Sequence, residues 1–131
     1  MRATGLSVPV TDQERALAFY TEKLGFVKKL DIPVDATSRW LTVVAKEDQD
    51  GIQISLEPGP VHFPPMKVFQ DELYNAGIPW TQFDVDDLQS EYDRLLALGV
   101  SFSVPPKEVG TVKIAVLDDT VGNRIQLVEH L

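Results

Sequence analysis

The chain has 131 residues, of which 44% are hydrophobic and 24% charged, with a net charge of −8 and no cysteine. That size and mix describe one folded globular domain with a real core, not a disordered chain. The acidity, with no long basic run, argues against nucleic acid and against an anionic membrane surface, and reads most simply as a solubility device. Lack of cysteine excludes disulfides, thiolate metal sites and cysteine nucleophiles. Met1–Gly5 has no signal-like apolar run and no stretch is long enough to span a bilayer, so a soluble cytoplasmic protein is expected.

Ala3 to Val10 reads as a short β-branched strand bounded by Thr-Asp. Thr11 and Glu14 form a capping box, in which the hydroxyl accepts from the third helical N–H and the glutamate reaches back. Leu17, Tyr20 and Leu24, with Ala16 beside them, give a buried stripe at helical spacing. Gly25 stands where a left-handed residue ends the helix. Strands follow at Phe26–Ile32, Arg39–Ala45 and Ile52–Glu57, with a turn at 33–37 and a charged loop at 46–51. The first sixty residues read β-α-β-β-β.

Pro58 to Met66 holds four prolines and reads as a connection. Lys67 to Ala76 then forms a short linker helix, with Phe69, Leu73 and Ala76 on one face and Gly77 as its stop. The second half repeats the order of the first. Trp80–Val85 is a strand. Asp86 and Gln89 take the cap positions, and Leu88, Tyr92, Leu95 and Leu96 form the stripe. Leu98-Gly99-Val100 echoes Leu24-Gly25-Phe26. Ser101–Val104, a Pro-Pro turn, Thr111–Leu117, a loop at 118–123 and Arg124–Glu129 complete a second β-α-β-β-β unit. Tyr92 and Leu95 occupy the places of Leu17 and Tyr20, an exchange of aromatic and leucine that paired halves tolerate at constant volume.

Three segments in this order carry a resemblance. They are Asp12…Ala16-Leu17-Ala18-Phe19-Tyr20…Leu24-Gly25-Phe26, Phe83-x-Val85-Asp86-Asp87 and Gly122-Asn123-x-Ile125-x-Leu127. Together with the duplication they resemble the vicinal oxygen chelate superfamily, the group of glyoxalase I, bleomycin-resistance proteins and extradiol dioxygenases. The resemblance covers nearly the whole chain. It implies an α+β fold of two tandem βαβββ modules, 1–60 and 78–131, joined by a linker helix at 61–77. It further implies curved mixed sheets that form a substrate cavity, commonly in a homodimer.

Catalytic members of that superfamily hold a divalent metal on ligands from the first and last strands of each module. Carried onto this chain, those positions fall on Gly5, Trp80, Gln126 and either Gln53 or Ser55. Glycine has no side chain, the Trp indole offers only a donor, and Gln is a weak neutral ligand. No cofactor is therefore expected, although a divalent metal bound elsewhere would restore lyase or dioxygenase chemistry of the glyoxalase type.

Trp40 and Trp80, if they face the cavity, make an apolar wall for an aromatic ligand, with Gln82, Gln53, Gln126 and Ser7 as neutral polar groups. Buried beneath the helices, they would be ordinary core residues instead. Glu57 ends a strand; it is a candidate base if it faces apolar walls, and otherwise an exposed charge. Arg39 and Arg124 would meet an anionic ligand if their strands turn inward, and are otherwise solvated. His62 and His130 read as exposed. Asp86 and Asp87 are explained by the helix N-terminus. The reading from sequence is a metal-free binding protein for a small, planar or aromatic molecule. The alternatives are a metal-dependent glyoxalase-like enzyme and a structural or regulatory dimer with a filled cavity.

Overall fold

Two edge strands, β1 (Gly5–Pro9) and β5 (Thr81–Asp84), each begin a repeated unit. The computed structural model describes all residues from Met1 to Leu131, and the chain divides into Met1–Gln70 and Asp71–Leu131. In the first unit β1 is followed by α1 (Gln13–Ala18), β2 (Val27–Pro33), β3 (Arg39–Val44) and β4 (Gln53–Glu57). The sheet order is β1-β4-β3-β2, with β1 parallel to β4 and the other pairs antiparallel. In the second unit β5 leads to α4 (Leu88–Ala97), β6 (Phe102–Val109), β7 (Val112–Asp118) and β8 (Arg124–His130), in the order β5-β8-β7-β6. The α+β architecture of two βαβββ repeats is therefore as expected.

Parallel pairing places Val8 opposite Leu56 in one unit and Phe83 opposite Leu127 in the other. Just beyond each first strand the chain makes the same contact: the Val10 N–H donates to Glu57 O, and the Val85 N–H to Val128 O. The first strands of the two repeats thus correspond with an offset of 75 in residue number (Val10 and Val85) and the last strands with an offset of 71 (Glu57 and Val128). Alternation along the strands sends Val8, Leu41, Val43, Ile54 and Leu56 to the face beneath α1, where they are buried with Ala16, Phe19 and Tyr20. Ala115, Leu117, Ile125 and Leu127 do the same beneath Leu88 and Leu95 of α4.

The helix caps lie one residue later than the sequence pattern suggests. Asp12 and Asp87 are the N-caps; their carboxylates accept from the Arg15 and Ser90 N–H groups at 3.0 Å. Thr11 and Asp86 precede the caps. After Ala18 the helix widens into a π-helical turn over Phe19–Lys23, with the Leu24 N–H donating to Phe19 O. The extra residue in that turn rotates the stripe, so Phe19 and Tyr20 are buried while Leu17 and Leu24 are only half-buried. Gly25 ends the helix at φ 86°, as its position predicts.

Four expectations fail, two for reasons of backbone chemistry and two for reasons of packing. The proline stretch is not a plain connection: it forms α2 (Gly59–His62) and the start of α3 (Pro64–Asn75). Pro58 is the N-cap of α2, and Pro60, Pro64 and Pro65 sit in first helical turns, where no intrahelical N–H bond is lost. On α3 the buried side chain is Gln70, whose amide donates to Pro9 O at 3.0 Å, while Phe69 is half-exposed. Pro105-Pro106 does not turn the chain. Both lie inside β6, where the register with β7 shifts between Val104 and Lys107. An edge strand with a bulge tolerates residues that cannot donate to the ladder. Leu96 of α4 is exposed, because Leu88, Leu95 and half-buried Tyr92 already fill the inward face.

Candidate functional site

Each sheet has one face under its helix and one face without a helix of its own repeat. In the first unit the latter carries Gly5, Ser7, Trp40, Thr42, Gln53, Ser55 and Glu57, as the register shows. Gly5 stands opposite Gln53, Ser7 opposite Ser55, and Thr42 also opposite Ser55. The Thr42 hydroxyl donates to the Gln53 carbonyl oxygen at 2.8 Å and accepts from the Leu30 N–H at 3.1 Å, so the amide of Gln53 is held in one orientation. Trp40 is opposite Ile32 and is 50% exposed, so it is not a core tryptophan beneath α1. Ser7 is exposed, while Ser55 and Glu57 are half-buried.

The corresponding face of the second unit carries Gln82, Val116, Arg124 and Gln126. Gln82 and Gln126 are cross-strand partners, and the Gln126 amide donates to the Gln82 carbonyl oxygen at 3.1 Å. Trp80 lies one residue before β5 and is 69% exposed; alternation carried one step past the strand puts it on the side of Gln82. With the offset of 75 for the first strands Trp80 corresponds to Gly5, and with the offset of 71 for the last strands Gln126 corresponds to Ser55. The choice between Gln53 and Ser55, open in the sequence, falls to Ser55 by register.

At one end of this face Arg124 is fixed by Tyr74. Its Nε donates to the Tyr74 carbonyl at 2.9 Å, and its guanidinium carbon lies 4.2 Å from the centre of the Tyr74 ring. The Tyr74 hydroxyl donates to Asp118, whose other oxygen accepts from the Thr120 N–H at 2.8 Å. That bond to Asp118 holds the Tyr74 phenol above its ordinary pKa. At the other end His130 lies 3.3 Å from Asp84, both exposed. His130 belongs to β8, which runs one residue beyond the strand read from sequence; His62 is in α2 and exposed.

Arg39 is directed elsewhere. It bonds Glu14 at 2.7 Å and Asp31 at 3.0 Å beside the start of α1, and these carboxylates, Glu14 foremost, raise its pKa. It borders a cleft of about 420 Å³, lined by Asp12, Gln13, Glu14, Asp35 and Val61 among others. Asp35 there is held below the usual carboxylate range, chiefly by the Thr37 N–H.

A family model described as the Glyoxalase/Bleomycin resistance protein/Dioxygenase superfamily matches residues 3–127. The chain belongs to this superfamily. Among curated relatives, the uncharacterized protein YurT of Bacillus subtilis (strain 168) is 47% identical over 98% of this chain and 99% of its own length. Among solved structures, UcmS2 is 32% identical with a TM-score of 0.82, covering 98% of both chains. TnmS3, an antibiotic binding protein from Streptomyces sp. CB03234, is 29% identical with a TM-score of 0.77, covering 100% of this chain and 97% of its own.

The superfamily's metal does not fit the residues present. Gly5 and Trp80 offer no ligating atom, and Ser55, Gln53 and Gln126 are neutral. No group of three or more His, Asp or Glu side chains that could hold a metal ion exists in the chain. Of the residues named from the sequence, the register puts Gln82 and Gln126 side by side, with Trp80 one residue before β5. Of the Tyr74–Asp118–Arg124 cluster only Arg124 has a signal in the sequence, as a cation for an anionic ligand; Tyr74 and Asp118 are brought to it only by the packing of Tyr74 on β7 and β8.

Proposed function

We propose that this superfamily member is a small-molecule-binding protein that works without a resident metal and takes a planar, aromatic ligand of the antibiotic type. The observation that carries the reading is the exposed Trp80 indole beside the Gln82–Gln126 amide pair, at a place where catalytic relatives would need ligating side chains. Gln126 Oε1 and Gln82 Nε2 have no partner within the protein, so an acceptor and a donor stand ready for a ligand edge while the indole covers its face. The likeness to TnmS3 supports the same class. Trp40, Gln53 and Ser7 offer comparable chemistry on the first unit, and Glu57 takes no part as a base. As in the superfamily at large, two copies of the chain associate.

The test is calorimetric titration with planar aromatic antibiotics, alongside metal analysis of protein purified without chelator. Micromolar binding that weakens about tenfold or more in Trp80→Ala is expected, in line with loss of an aromatic contact. Stoichiometric metal retained through dialysis and lost in Gln126→Ala would overturn the metal-free reading in favour of glyoxalase-type chemistry. Absence of binding across the panel would favour a structural or regulatory role.

A further inference from the structure

The helix-free face of the second unit carries one cation whose charge is not matched by an ion pair. Arg124 is a cross-strand neighbour of Asp118, yet that carboxylate is taken up by the Tyr74 hydroxyl and the Thr120 N–H. Arg124 spends only Nε, on the Tyr74 carbonyl, and its flat side rests on the Tyr74 ring. Arg124 takes no part in the ion pairs formed by Lys28, Lys29, Arg39, Arg94 and His130. A guanidinium stacked on an aromatic ring and anchored through Nε presents its two terminal nitrogens as a preformed fork. That fork has the geometry of a carboxylate.

Its place on the face selects the ligand. Arg124 lies two residues before Gln126 on the same side of β8, and the parallel register, continued one step beyond β5, brings Trp80 opposite it. Of the other charges of this face, Asp118 stands opposite Arg124 with its two oxygens bonded to the Tyr74 hydroxyl and the Thr120 N–H, while Asp84 and His130 are at the far end of β8 and contact each other. We infer that the second unit binds planar aromatic carboxylates. Arg124 takes the carboxylate, the Gln82–Gln126 pair takes a polar ring edge, and Trp80 covers the ring. This rests on the binding function proposed above and narrows it from aromatic molecules in general to aromatic anions. Tyr74 acts as a positioning residue that holds the guanidinium in its orientation.

The experiment compares 2-naphthoate with its uncharged counterpart 2-naphthamide by isothermal titration calorimetry. It uses wild-type full-length chain, Arg124→Gln and Arg124→Lys, with circular dichroism confirming that each variant is folded. Wild type should bind the carboxylate about tenfold more tightly at low salt, the discrimination expected of one half-exposed charge-assisted contact. The ratio should shrink as salt is raised. Arg124→Gln should bring it to about one, and Arg124→Lys should restore part of it. Equal affinities in wild type, or a preference that survives in Arg124→Gln, would overturn the inference while leaving aromatic binding intact. Failure of both compounds to bind would overturn the inference and the aromatic-binding reading together. If Arg124→Gln does not fold, the wild-type ratio and its salt dependence decide by themselves.

Discussion

Replacing Gln13 with methionine removes a buried polar anchor at nearly constant volume. Gln13 is 8% exposed, and its amide nitrogen donates to the carbonyls of Arg39 at 2.7 Å and Leu56 at 2.8 Å. Its carbonyl oxygen accepts from the Arg39 N–H at 3.1 Å, so one side chain ties α1 to both β3 and β4. Each such bond contributes about 1 kcal/mol net, and a buried carbonyl left without its donor costs roughly a further 1 kcal/mol. Methionine fills the space without a cavity; the equivalent position in the second unit is Leu88, which is fully buried. The expected loss is about 4 kcal/mol, equivalent to a fall of roughly 15 °C in Tm for a chain of this size. Urea unfolding followed by circular dichroism measures it, with an unchanged m-value showing that the same transition is observed. Gln13→Glu should lose more, since a carboxylate would face two carbonyl oxygens. A loss below about 1 kcal/mol in Gln13→Met would refute the assignment of Gln13 as an anchor.

Gly25→Ala and Gly99→Ala should each destabilise by about 1 kcal/mol in the same assay, for conformational reasons alone. Both residues have positive φ, 86° and 84°, and an added Cβ would meet no atom within 4 Å. Asp87 is held below the usual carboxylate range by the Ser90 N–H. Its folded pKa is therefore the lower one, so its capping contribution is complete above the unfolded value of about 3.9 and is lost as pH falls through the folded value. Asp87→Asn should keep the cap and flatten that part of the acid limb of a stability–pH curve; an unaltered limb would count against it. Tyr74, raised by its bond to Asp118, should contribute a high-pH component to an ultraviolet phenol titration, and Tyr74→Phe should abolish it. In the folded state that bond stabilises fully below the unfolded phenol pKa and fades as pH rises through the folded one.

Most of the candidate site was legible because it lies on strands. Alternation assigns faces and the repeat assigns equivalent positions, and the resemblance to the vicinal oxygen chelate superfamily then implies Gly5, Trp80 and Gln126 as the positions of its metal ligands. The misreadings have local causes. A cap aspartate beside Thr11 or Asp86 competes with it for the same N–H groups, and only the turn into the helix decides between them. The π-turn at Phe19–Lys23 leaves no compositional mark, since any residue can occupy the widened ring. Pro105-Pro106 carries the signal of a turn, but a strand at a sheet edge has N–H groups to spare.

The sequence by itself determined the duplicated βαβββ order and the helix-ending glycines, and through the resemblance it implied neutral side chains at the superfamily's metal-ligand positions. These depend on spacing within short segments. Only the tertiary structure decided that Ser55 is the counterpart of Gln126, that both tryptophans stay exposed, and that Arg124 lies on Tyr74. Cross-strand register and the docking of α3 bring together side chains 44 to 50 residues apart, and no local pattern records which ones meet.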